Sequence, residues 1–245
     1  MGAGTRPEPP LTPLPWDSAH FGVSIARISC DGLTGGVLDA CLAEAGNRSI
    51  QMLEAACHIS DETTAQLLES REFRYAGTQV HLALDLEQSL AQDAVSRLRK
   101  AEETDLDALR EMTWGSYTDS RYFSYPGIDP EKIHALYRIW VEKGVRGTFD
   151  DECRVLEQDG VIQAFCCLKF ESSAARIGLF GVNPSFRRRG HGSCLLGVLK
   201  PALFQQGIKC IITTTQAKNI PALRLYENAG FMTSRMDLWF CRRIA

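Results

Sequence analysis

This chain of 245 residues has no large charge imbalance, few histidines and no long apolar run. Its 27 Lys and Arg stand against 30 Asp and Glu, a net charge of −3, so no basic field marks nucleic acid as a partner. No stretch approaches the ~18 uncharged apolar residues of a membrane span, so no membrane partner is expected. The five histidines lie far apart and none is spaced to a cysteine pair as a zinc ligand would be, so no metal is expected. The nine cysteines form no CxxC pair. Most sit in apolar runs such as AFCCLKF and KCIIT, where a thiol serves as a small hydrophobe, and this usage fits a reducing cytoplasm. The start, MGAGTRPEPPLTPLP, lacks the apolar core of a secretory signal, and residues 1–13 are expected to be a disordered lead-in. What remains is 44% apolar and 23% charged, an ordinary globular composition with ample core.

Strand-like and helix-like patterns alternate, which places the chain in the α/β (α+β) class. The pattern divides into residues 14–92 and 93–245, with EQSLAQDA as a linker. In the first part GGVLDACLAEAG reads as a helix stopped at Gly46, SIQMLEAACHI as a strand, and Ser60 as the cap of a helix through Leu67 and Leu68. RYAGTQVHLALDL returns as a strand. In the second part a helix through DLDALREMTWGSY leads to an aromatic loop, SRYFSYPGID, and to a helix opened by Asp129 and Pro130. CRVLEQ and VIQAFCCLKF flank Asp159-Gly160, a hairpin signal, and ARIGLFGV adds a third strand. Residues 49–73 also align without gaps on 207–231, with Glu69 on Glu227 and Phe73 on Phe231. An internal repeat and chance similarity of two strand–helix units both fit. In the second copy Tyr226 replaces Leu68.

The densest chemical signal is FGVNPSFRRRGHGSCLLGVL, residues 180–199. Strand, Arg187-x-x-Gly190-x-Gly192 and apolar-striped helix follow in that order. Glycines let the backbone approach a ligand and take positive φ. Unpaired amides at a helix start attract anions, and adjacent arginines add charge-assisted contacts to phosphate. Together they suit a pyrophosphate; a solvated surface turn is the other reading. Pro201 is expected to bend or break the helix that follows.

The blocks V-N-P-x-x-R-x-x-G-x-G and N-x-x-A-x-x-L-Y-x-x-x-G-F resemble those of the GNAT superfamily of acetyl-CoA-dependent N-acetyltransferases over residues 95–243. The resemblance implies a mixed sheet splayed beside Phe180, Gly181 and Val182, where the pantetheine arm pairs. It also implies that the amides of Arg188, Arg189, Gly190, His191 and Gly192 (with Ser193 following) hold the diphosphate. Asn219 would contact the cofactor arm and Tyr226 would face the leaving sulfur. LPWDSAHFGV, EKGVRGTFDDEC, ARIGLF and TTQAKNIPALRLYENAG further resemble the TDP-fucosamine N-acetyltransferase group. That group acetylates the amino group of a TDP-linked amino-dideoxy sugar, and carries a smaller N-terminal domain like half a GNAT fold.

Transfer needs a neutral amine, a polarised thioester carbonyl and a proton for the thiolate. Tyr226 suits the last role, since a phenol pKa near ~10 lies close to that of a thiol; a core aromatic is the alternative. No general base stands out among His191, His134 and the acids around Asp119, and an ordered water would serve. Arg121, Tyr122, Phe123 and Tyr125 suit a nucleotide diphosphate and its base, or equally a loop pinned to the core. The expected partners are therefore acetyl-CoA and a small nucleotide sugar, with a homodimer as the expected assembly. The rival functions are acetylation of another amine, such as an aminoglycoside or amino acid, and a catalytically silent acyl-CoA-binding module.

Overall fold

The computed structural model describes residues 10–86 and 97–244, so the linker expected at 87–94 lies outside the described residues. Part of the expected lead-in is ordered. Strand β1 (Leu11–Pro13) pairs antiparallel with β2 (Ile25–Ile28), and Ser29 N–H donates to the Pro10 carbonyl at 3.0 Å. Burial of Leu11 supplies the driving force that a proline-rich composition concealed. Between these strands Pro15, at the first helical position, opens helix α1 (Pro15–Phe21). Then follow α2 (Gly35–Asn47), β3 (Met52–His58), α3 (Glu62–Ser70) and β4 (Arg74–Asp85). The cap of α3 is Asp61, one residue beyond Ser60; its carboxylate accepts from Thr64 N–H at 3.0 Å.

After the linker come β5 (Leu98–Lys100), α4 (Leu106–Thr113), α5 (Pro130–Val145), β6 (Glu152–Gln158) and β7 (Val161–Glu171). Asp159 and Gly160 both take positive φ, 53° and 76°, as a twist-matched two-residue hairpin requires. The chain ends with β8 (Ala174–Val182), α6 (His191–Gln205), β9 (Cys210–Gln216), α7 (Ile220–Asn228) and β10 (Met232–Arg243). Helix α6 runs through Pro201, which is buried.

The chain forms two units that interleave along the sequence, unlike the linear division at 92/93. The first takes the chain up to Gln79, Arg121–Lys132 and the chain from Met236. Its strand order is β1-β2-β3-β10-β4, around a core that includes Leu38, Leu53, Leu68 and Phe240. The second takes Val80–Ser120 and Ile133–Arg235, in the order β10-β4-β9-β8-β7-β6-β5, over a core that includes Leu109, Val141, Phe165 and Leu179. Strands β2–β3 and β8–β9 are parallel, while β3–β10, β5–β6, β6–β7 and β7–β8 are antiparallel. The sheet is therefore mixed.

The aligned halves have matching elements. β3, α3 and β4 correspond to β9, α7 and β10 in length and at one constant offset, so the correspondence extends beyond residues 73 and 231 to the ends of β4 and β10. The last strands are exchanged. In the first unit β10 lies between β3 and β4; in the second, β4 lies beside β9.

Candidate active site

Strands β8 and β9 part company midway. Their parallel register runs from Ala174↔Cys210 to Ile177↔Thr213 and stops. Gly178 is skipped in the register between β8 and β7, and Leu179–Val182 continue against β7 alone. A cavity of about 920 Å³ opens beside that free edge. Four segments of the second unit line it: Phe180–Val182, the turn from Arg187 to Ser193, residues 116–119, and the start of α7.

The turn is built as its residues require. Arg188 and Gly190 have φ of 60° and 83°, and Gly190 faces open space. Helix α6 then starts at His191 without a side-chain cap, which leaves its first amides without partners inside the helix. A methyl at Gly181 would collide with the Phe165 ring, and one at Gly192 would press on Leu225. These glycines keep the wall of the cavity close-packed while its backbone stays accessible.

Residues 106–231 match the model of the Acetyltransferase (GNAT) family. The chain belongs to that family. It is thus an acetyltransferase, and its mixed α/β architecture is the GNAT fold. The chain is 28% identical to the dTDP-fucosamine acetyltransferase of Escherichia coli O6:H1, over 95% of this chain and 97% of that one. It is 25% identical to the Mycothiol acetyltransferase of Clavibacter sepedonicus, over 86% of this chain and 68% of that protein. A GCN5-related N-acetyltransferase from Sphaerobacter thermophilus shares the fold, with a TM-score of 0.67 at 15% identity, over 95% of this chain and 76% of its own.

Within this GNAT site, Phe180, Gly181, Val182, Arg187, Arg188, Gly190, His191, Gly192, Ser193 and Asn219 all line the cavity. Arg189 does not; its guanidinium lies 6.0 Å from the Phe186 ring centre. Arg187 is engaged rather than free, donating to Ser116 Oγ at 2.8 Å and to the Val182 carbonyl at 3.3 Å. Asn219 has two jobs. Its Oδ1 caps α7 by accepting from Ala222 N–H at 3.1 Å, and its Nδ2 donates to Asp119 at 2.9 Å.

Tyr226 is buried behind the cavity wall, with its ring edge-on to Phe180 at 6.1 Å and to Phe231 at 5.2 Å. Burial pushes its phenol up to about 12, against a hydrogen bond with Thr213 that acts the other way. Thr213 is the last residue of β9 in register with β8, and its hydroxyl donates to the Ile177 carbonyl at 3.2 Å. The Tyr226 hydroxyl therefore stands at the fork of the two strands.

Of the groups considered as bases, Asp119 and His191 line the cavity, whereas His134 packs against Trp114 at 5.4 Å. Ser116 and Tyr117 were not singled out from sequence. Their signal was the polar run S-Y-T-D after Gly115, which turns the chain at φ 68° where α4 ends. Tyr117 donates to the Phe180 carbonyl at 3.2 Å and stacks on Tyr137 at 4.2 Å; burial holds its phenol well above the ordinary range.

The aromatic segment belongs to the first unit. Arg121–Ser124 form a single 3-10 turn. Tyr125 donates to buried Glu54 at 2.6 Å, Tyr122 to Asp17 at 2.8 Å, and the Arg121 guanidinium lies over the rings of Trp239 and Tyr122 at 4.0 and 4.5 Å. These three side chains pin the segment to the core of that unit. Phe123 is 37% exposed. Among the described residues no cluster of three or more metal-ligating side chains occurs, and no helix is long and apolar enough to cross a membrane.

Proposed function

We propose that the protein moves an acetyl group from acetyl-CoA to the amino group of a nucleotide-linked (TDP) amino-dideoxy sugar. The observation that carries this reading is the likeness to the dTDP-fucosamine acetyltransferase, which spans nearly the whole of both chains, including the stretch before residue 106 that the family model does not cover.

The residues suit acetyl-CoA. The GNAT family uses it as co-substrate, and it supplies the thioester whose acetyl group is transferred. The amides of Arg188 to Gly192, at an uncapped helix start beside open space, hold the diphosphate. The free edge of β8 offers backbone donors and acceptors to the amide-bearing pantetheine arm, as an exposed strand edge does for a peptide. Backbone N–H groups near Val182 polarise the thioester carbonyl. Tyr226, a phenol that burial moves further from ionisation, holds the proton that the departing thiolate needs.

A second reading, transfer to a different small amine, is favoured by the Mycothiol acetyltransferase relative. Thiol release from acetyl-CoA, measured across TDP-amino sugars, aminoglycosides and amino acids, tests both. Turnover confined to the TDP-amino sugars supports the first reading; turnover confined to the other amines sinks it.

A further inference from the structure

Three neighbouring side chains of the segment after α4 each reach a different wall of the cavity. Ser116 Oγ accepts from Arg187 of the glycine turn at 2.8 Å. Tyr117 Oη donates to the Phe180 carbonyl on the free edge of β8 at 3.2 Å. Asp119 Oδ2 accepts from Nδ2 of Asn219, the cap of α7, at 2.9 Å. The segment thus crosses from turn to strand to helix and bonds to each.

Two of these bonds use groups that an incoming ligand would need. Phe180 lies on the stretch of β8 that lacks β9 as a partner, so its carbonyl is among the acceptors that the edge offers. That carbonyl already receives a donor on one of its two lone pairs, and one of the two hydrogens on Asn219 Nδ2 already has an acceptor. The Tyr117 ring is stacked on Tyr137, with their planes 20° apart, so its hydroxyl is aimed from a fixed base rather than from a swinging side chain.

Building on the acetyl-CoA reading of this cavity, we infer that residues 116–119 are a strap that occupies the co-substrate's contacts on Phe180 and Asn219. The strap competes for them as the pantetheine arm pairs with β8. An amide N–H of the arm replaces the Tyr117 hydroxyl on the Phe180 carbonyl, and an amide oxygen of the arm replaces the Asp119 carboxylate on Asn219. Tyr117 and Asp119 are therefore positioning residues that set how readily the site accepts its co-substrate.

The test uses the full chain and CoA itself, so no acceptor is needed. Tyr117→Phe keeps the stacked ring and removes the hydroxyl; Asp119→Ala removes the other latch. One net hydrogen bond, about 1 kcal/mol, corresponds to a factor of about five. Each variant is expected to bind CoA about five-fold more tightly in calorimetry and to associate faster in stopped-flow mixing. A residue that merely supports the fold predicts the reverse, lower melting temperature and weaker binding. Unchanged or weakened CoA affinity in both variants, with wild-type melting temperatures, overturns the strap and leaves the acetyl-CoA site standing. Failure of the wild type and both variants to bind CoA overturns the site reading and the strap with it.

Discussion

Replacing Tyr226 with phenylalanine removes one oxygen from the fork between β8 and β9 and changes little else. The ring remains, so its edge contacts with Phe180 and Phe231 survive. Thr213 keeps its bond to the Ile177 carbonyl, and the lost phenol–threonine bond costs about 1 kcal/mol of stability. The cost to catalysis is larger. General-acid catalysis contributes ~10²–10⁴ in rate, so kcat should fall by that factor, equivalent to ~3–5 kcal/mol of barrier. Acetyl-CoA affinity should stay within a few-fold, because charge develops on sulfur only along the reaction. With its phenol near 12, Tyr226 should impose no alkaline limb on kcat across the neutral range. The assay is steady-state thiol release with melting temperature in parallel, for Tyr226→Phe and Tyr226→Ala. A core aromatic would leave the Phe variant near normal and damage only the Ala variant. More than about a third of wild-type kcat in the Phe variant would refute proton donation as a controlling step.

Gly190→Glu places a carboxylate in the anion cradle and should abolish the rise in melting temperature that acetyl-CoA gives by mass action. Gly190→Asn, which tolerates a φ of 83°, controls for backbone strain and should keep most of that rise. Glu54→Gln removes the buried charge facing Arg121 and Arg27; breaking such a pair costs about 3–5 kcal/mol, on the order of 10 °C in Tm. Alkali should destabilise the fold. Burial raises Cys57 and Cys241 to about 11 and Cys30 and Tyr226 to about 12, from ordinary values of 9 for thiols and 10 for the phenol. Their contribution is complete below pH 9, where both states hold the protons, and drains as the unfolded chain ionises first. Melting temperatures at pH 8 and pH 10.5 should therefore differ clearly; equal values would contradict the burial of these groups.

The site's backbone was more legible in the sequence than its side-chain partnerships. The glycine turn could be read because Gly190 serves a local need, a positive φ before a helix start, and local needs leave local signatures. The Asp159-Gly160 hairpin was readable for the same reason. Glu54 was not, although a lone carboxylate inside QMLEAACHI was itself the clue. Its partner Tyr125 is 71 residues away, and no spacing rule reaches that far. The aromatic loop was ambiguous because arginine with tyrosine suits a nucleotide and a buried carboxylate equally; Glu54 and Asp17 resolved where those side chains point. Arg187 looked like a phosphate ligand by charge alone, yet its guanidinium also ties Ser116 to β8. The constant offset between the two strand–helix–strand copies was half visible, since identity faded before the register did.

The exchange of strands between those copies reverses the order in which the protein can be finished. Residues 52–58 of β3 have residues 237–243 of β10 as their partners, so the ribosome exposes one edge of β3 long before it supplies the complement. The pairs β5–β6, β6–β7, β7–β8 and β8–β9 join strands that lie closer together in the sequence. β3 is thus closed only after β5 to β9 have been made. Until then the nascent chain carries an unsealed β edge, the kind of surface on which chains stick to one another. Residues 237–243 are therefore the strand that seals β3, and a ribosome that stalls before completing them leaves that edge open.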